Sequence, residues 1–210
     1  MKISIKIVIS FLIIGAIAAG CVKFDRPALD RKYFVMSVER NKDSHTNGTE
    51  TLVVRRFQIS PQYQDRELVY RKDKSIYEAD YYNLFFVPPT EMLTNDLRRW
   101  FSDSGIFKNV VSPSSLSSGG LVLEGLVNSL YGDYHGNVPA AVVEIQFFLV
   151  DNQDENTPII YSRTFSEKIK LKSKDSAELV EGMSSGIKNI FSKLEADLVG
   201  LKAVSEEKPN

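Results

Sequence analysis

Along most of this chain, apolar and polar positions recur with a period that assigns an element. Residues 32–38 carry Tyr33, Phe34, Val35, Met36 and Val38, dense enough in aromatic and branched side chains for a short buried strand. A polar loop with the turn-forming pair Asn47-Gly48 follows, and Thr51, Leu52, Val53, Val54, Phe57 and Ile59 predict a second strand that Pro61 ends. Leu68, Val69 and Tyr70 open a third, which turns at Lys72, Asp73 and Lys74 and returns over residues 75–81 as a hairpin. A short strand at 107–111 and a Ser/Gly-rich loop at 112–120 precede three longer strands at 121–131, 140–150 and 159–171. In the middle one Val143, Ile145, Phe147 and Leu149 alternate with Glu144 and Gln146, as in a sheet with one covered face. These three strands predict an antiparallel meander.

Two segments switch to helical spacing. Pro88-Pro89-Thr90-Glu91 starts one, because proline suits a first helical turn, and Met92, Leu93, Leu97, Trp100 and Phe101 then recur at steps of three and four until Ser104-Gly105. The second begins near residues 173–175. Val180, Met183, Ile187, Ile190, Leu194, Leu198 and Leu201 make its apolar stripe, with Lys188, Lys193, Glu195 and Asp197 among the polar positions. The expected fold is α+β or α/β: a single mixed, mainly antiparallel sheet covered by helices at about 89–104 and 175–201. Residues 203–210 are expected to be a disordered, charged tail.

The first twenty residues obey a different logic. Lys2 and Lys6 precede an apolar stretch at 7–19, shorter than the roughly 20 residues a comfortable membrane span needs, and Ala18, Ala19 and Gly20 lead into Cys21. This resembles the lipobox at which a bacterial peptidase cuts before a lipid-modified cysteine, with Ala18 where leucine is usual. Cys21 is the only cysteine, so no intramolecular disulfide competes for it. Residues 1–20 are therefore a lipoprotein signal peptide and 21–31 a lipidated tether. A lipoprotein cysteine carries two or three acyl chains such as palmitate, enough for stable anchoring. Val22 replaces the aspartate that retains such proteins at the inner membrane, so the expected location is the periplasmic face of the outer membrane of a Gram-negative cell.

Composition narrows the function. With 43% hydrophobic and 25% charged residues the whole chain has the composition to bury one core, and the length suits one domain, residues 32–202. Loss of Lys2 and Lys6 takes the formal charge from -1 to about -3, which excludes a general nucleic-acid binder. No cofactor or metal is expected: His45 and His135 stand alone in loops, and Gly119-Gly120 and Ser184-Ser185-Gly186 lack the phosphate-loop pattern. No catalytic residue is assigned, and a non-enzyme is expected. The candidate surface is the aromatic run Tyr77, Tyr81, Tyr82, Phe85 and Phe86, which could contact a partner or lipid, although packing between sheet and helix is the favoured expectation.

Several strings carry a resemblance. Ile59-Ser60-Pro61-Gln62-Tyr63, then Leu68-Val69-Tyr70-Arg71, an aromatic segment, Pro88-Pro89, and a helix with Leu93, Leu97 and Phe101 resemble the ABC-type transport auxiliary lipoproteins, the family of the paraquat-inducible protein C lipoprotein. The family's Arg-Trp pair before the helix proline is replaced here by Tyr81-Tyr82-Asn83-Leu84-Phe85-Phe86. The resemblance implies an accessory component of a lipid transport system between inner and outer membranes. Its partners would be a periplasmic mammalian cell entry (MCE) domain protein with its ABC permease and ATPase, with phospholipid a candidate ligand and a homo-oligomer a candidate state. The alternatives are an assembly lipoprotein for an outer-membrane barrel and, behind it, an envelope hydrolase.

Overall fold

The computed structural model describes residues 30–206 except 42, 46, 47 and 118, with side chains as far as residue 201. The signal segment, Cys21 and Asn47 of the expected turn lie outside the described residues. The elements, in chain order, are β1 (Lys32–Phe34), β2 (Thr51–Val54), β3 (Gln58–Ile59), a 3-10 turn (Pro61–Tyr63), β4 (Glu67–Arg71), β5 (Tyr77–Phe85), α1 (Pro89–Ser104), β6 (Asn109–Val111), β7 (Leu121–Asp133), β8 (Ala140–Asp151), β9 (Ile159–Lys170) and α2 (Ser176–Glu206).

The strands form one mixed sheet and the two helices back it, so the fold is α+β. The long ladders, β7 to β8 and β8 to β9, are the antiparallel meander the alternation predicts, and β4 to β5 is the hairpin. On the other edge of β7, β2, β3 and β4 lie end to end and parallel to it, with Leu52 opposite Leu121, Ile59 opposite Val127 and Tyr70 opposite Gly132. Residues 51–71 thus behave as one interrupted strand. β6 flanks β2 in parallel at one end of this line, and β5 followed by parallel β1 flanks β4 at the other.

The interruption has a packing cause. Between β2 and β3, Phe57 leaves the ladder and its amide N–H donates to the Thr94 hydroxyl of α1 at 3.0 Å. Its ring lies over Gly125, where a Cβ would come within 2.5 Å of it, and meets the edge of Phe147 at 5.8 Å. An irregularity at Val127/Ser129 then inverts the facing of β7, so that Leu130 rather than an odd-numbered residue pairs with core Val143.

Each helix is held by its apolar stripe. In α1, Met92, Leu93, Leu97, Trp100 and Phe101 are buried, and Gly105 ends the helix at φ 68°, a conformation that only glycine adopts freely. In α2 the buried face is broader than expected, because Leu179 and Phe191 join it. Gly182 lets the helix sit close to the sheet: a Cβ there would lie 2.5 Å from Leu171 and 3.0 Å from Ala141.

Three expectations need correction. Residues 35–38 do keep strand-like alternation, with Met36 and Val38 buried, yet β1 ends at Phe34. The extended segment bonds to helices instead: the Ser37 amide donates to Ser184 of α2, and Arg99 of α1 donates to the Val38 carbonyl. Glu195, expected at a polar position, is buried. Finally, α2 runs to Glu206 and takes in the first residues assigned to the tail.

Candidate functional site

β5 presents most of the aromatic run. Residues of a strand alternate between faces, but Asp80 breaks the pattern: its carboxylate accepts the amides of Tyr82 and Asn83, the Asn83 side chain and the Tyr70 hydroxyl. Burial acts to raise the Asp80 pKa, and these hydrogen bonds together hold it below the ordinary carboxylate range. The strand bulges here, since Glu67 pairs with Leu84 and Leu68 with Asp80. Tyr81 and Tyr82 stand at the bulge as an edge-to-face pair with centroids 5.4 Å apart, both exposed.

The five predicted aromatics therefore separate. Phe85 is 2% exposed and belongs to the core, as packing between sheet and helix requires. Tyr77, Tyr81, Tyr82 and Phe86 are surface residues, Phe86 60% exposed, so for these four the packing expectation is overturned. Tyr77 lies apart from the others, edge-on to Tyr131, which stacks on Tyr63. Beside the bulge, Gln62, Asp65, Glu67, Val69, Ala79 and Tyr81 line an open cavity of about 290 Å³.

Sequence reasoning missed the neighbours that complete this surface. Tyr33 meets Phe86 edge-to-face at 6.2 Å, and Val35 and Val87 are exposed beside the same strand ends. The signal was present: Tyr33 and Val35 alternate with the inward Phe34 and Met36, which places them on the opposite face. Two guanidiniums cover the rings, Arg31 at 4.1 Å from the Tyr81 centroid and Arg66 at 5.4 Å from that of Tyr33.

The ionised clusters elsewhere are internal ties. Asp133 at the end of β7 accepts two bonds from Arg71 of β4, at 3.1 and 2.7 Å, and one from Lys168 of β9 at 2.8 Å. Burial would raise its pKa, but the bonds from Arg71 and Lys168 outweigh that and hold it at about 2. Glu195 accepts from Arg40 at 2.9 Å on each oxygen and from the Trp100 indole N–H at 2.7 Å. His45 reaches the same carboxylate at 3.5 Å, while His135 lies 3.1 Å from Asp73. The two histidines thus sit in different places, and among the described residues no group of three or more His, Cys, Asp or Glu is arranged to hold a metal ion. No described helix is long and apolar enough to cross a membrane.

The fold is thus an α+β body whose main surface feature is aromatic. A family model described as the ABC-type transport auxiliary lipoprotein component matches residues 34–194, and the chain belongs to that family. No curated protein matches it in sequence. Among solved structures, the protein XCC0632 from Xanthomonas campestris is 19% identical, with a TM-score of 0.71 over 83% of this chain and 99% of its own. A second, described only as an uncharacterized protein, is 18% identical with a TM-score of 0.64 over 80% and 98%. A dodecameric PelC from Paraburkholderia phytofirmans is similar at 16% identity and a TM-score of 0.45, over 71% of this chain and 87% of its own. The first two likenesses establish the shared fold.

Proposed function

We propose that this protein is a non-enzymatic accessory of an MCE-type ABC lipid transport system, anchored through acylated Cys21 to the periplasmic face of the outer membrane. There it docks the periplasmic MCE-domain protein whose permease and ATPase lie in the inner membrane. The observation that carries this reading is the family match, which spans the folded body from β1 into α2. The lipobox supplies the anchor, and Val22 after the cysteine supports the outer membrane.

The body suits such a role because α2 covers one face of β8 and β9 and leaves the other face partly open. Val142, Glu144, Gln146 and Phe148 of β8 remain half-buried there, opposite Lys168, Ser166, Thr164 and Ser162 of β9. ATP hydrolysis would belong to another subunit.

Purification of the tagged, acylated protein in mild detergent tests the partner. Recovery of an MCE-domain protein is expected. Recovery of an outer-membrane barrel in its place would select the assembly reading, and recovery of neither, while a known pair co-purifies, would refute docking. Cys21→Ser is expected to abolish acyl labelling and release the protein from the membrane fraction, and normal labelling of that variant would refute the anchor.

A further inference from the structure

We propose that the aromatic end of β1 and β5, formed by Tyr33, Tyr81, Tyr82 and Phe86 under Arg31 and Arg66, rests on the headgroup layer of the bilayer that holds the acyl anchor. The inference builds on the anchored reading above and adds a second, non-covalent membrane contact.

The surface is built rather than incidental. Four rings, each about half exposed, present roughly 400 Å² of aromatic area, the size of the largest apolar patch on a typical monomer. They form two ring pairs near the paired ends of β1 and β5: Phe86 packs on Tyr33, which is in register with Leu84, and Tyr81 packs on Tyr82, three and two residues before Leu84. Phe34 and Phe85 anchor the same strands in the core, so the exposed rings stand on a rigid base.

The choice of occupant follows from chemistry and from chain length. Tyrosine carries an apolar ring and a polar tip, and such rings are enriched where hydrocarbon gives way to headgroups. Guanidinium groups complement lipid phosphates, and two of them already lie over the rings, at Tyr81 and Tyr33. Cys21 precedes Arg31 by ten residues, so even a fully extended tether reaches about 36 Å. β1 is the first strand after that tether, and the surface it helps to build is within that reach of the acyl chains.

The test uses the full acylated protein in phosphatidylethanolamine and phosphatidylglycerol vesicles, with and without brominated phosphatidylcholine. Phe86→Trp and Tyr82→Trp report on the proposed surface. Ile159→Trp is the reference, because Ile159 is also 60% exposed but lies on β9, at the other side of the sheet. The native Trp100 is buried and gives a constant background.

Brominated lipid is expected to roughly halve the added emission of Phe86→Trp and Tyr82→Trp and to spare that of Ile159→Trp. If the variants float with the vesicles and quenching is absent, or equal at all three sites, the membrane contact is refuted while the anchor stands. Loss of flotation in the wild type would remove the anchor and this contact together. If quenching vanishes when the MCE-domain protein is added, the surface belongs to that partner and the inference fails. Near-ultraviolet circular dichroism checks that each variant folds, and two reporters keep the test decisive if one does not.

Discussion

Replacing Arg40 by alanine is expected to destabilise the folded body by about 3–5 kcal/mol, the range for removing one partner of a buried ion pair. The side chains of Arg40 and Glu195 are 2% and 4% exposed, so neither charge recovers much solvation in the native state. Without Arg40, Glu195 keeps the Trp100 indole N–H, a neutral donor, and the more distant His45. Three parts of the chain meet here: Arg40 after β1, Trp100 of α1 and Glu195 of α2. Urea unfolding at neutral pH measures the effect, and Trp100, the only tryptophan, reports it from inside the cluster. With an m value of about 2 kcal/mol/M, the midpoint moves down by roughly 1.5–2.5 M. The double replacement Arg40→Met with Glu195→Met removes both charges but leaves the buried Trp100 indole N–H without its acceptor, so it is expected to recover only part of the loss. A loss below about 1 kcal/mol for Arg40→Ala would refute the reasoning, since only a solvated pair is worth so little.

Other tests follow from the same physics. Asp133 is held at about 2, below its ordinary 3.8, so its contribution of about 2 kcal/mol is complete above pH 4 and lost as pH falls to 2; Asp133→Asn is expected to flatten that limb of the pH–stability curve. Asp96 shows the opposite sign: burial pushes it up to about 6, against the pull of Arg99, so the native state favours its protonated form and stability falls as pH rises from 4 to 6. Asp96→Asn is therefore expected to gain up to about 2 kcal/mol at pH 7.5 and nothing at pH 4, as thermal melts at the two pH values would show. Gly182→Leu is expected to cost about 1–3 kcal/mol in urea unfolding, since the new side chain meets Leu171 and Ala141 where α2 crosses the sheet.

Legibility in the sequence tracked how local the cause was. The bounds of α1 could be read directly, because Pro88-Pro89 and Gly105 act on their own backbone, and β8 could be read from the alternation of Val143, Ile145, Phe147 and Leu149. The alternation at residues 32–38 was also real, but alternation reports only that one face is buried. It does not say whether the segment's amides meet a strand or helices, and beyond Phe34 they meet helices. Among the aromatics, composition could not separate Phe85 from Phe86, since that depends on a bulge held by Asp80.

By itself the sequence determined the bounds of α1, the meander, the fold class and the family resemblance, and it marked Cys21 as the anchor to be tested. These depend on periodicity and on neighbouring residues. The tertiary structure alone decided that residues 51–71 run as one broken strand beside β7, that Glu195 is an internal tie, and that Tyr33 packs on Phe86 at the surface. Each of these joins residues far apart in the chain, and their pairing is set by the space left once the whole core has packed.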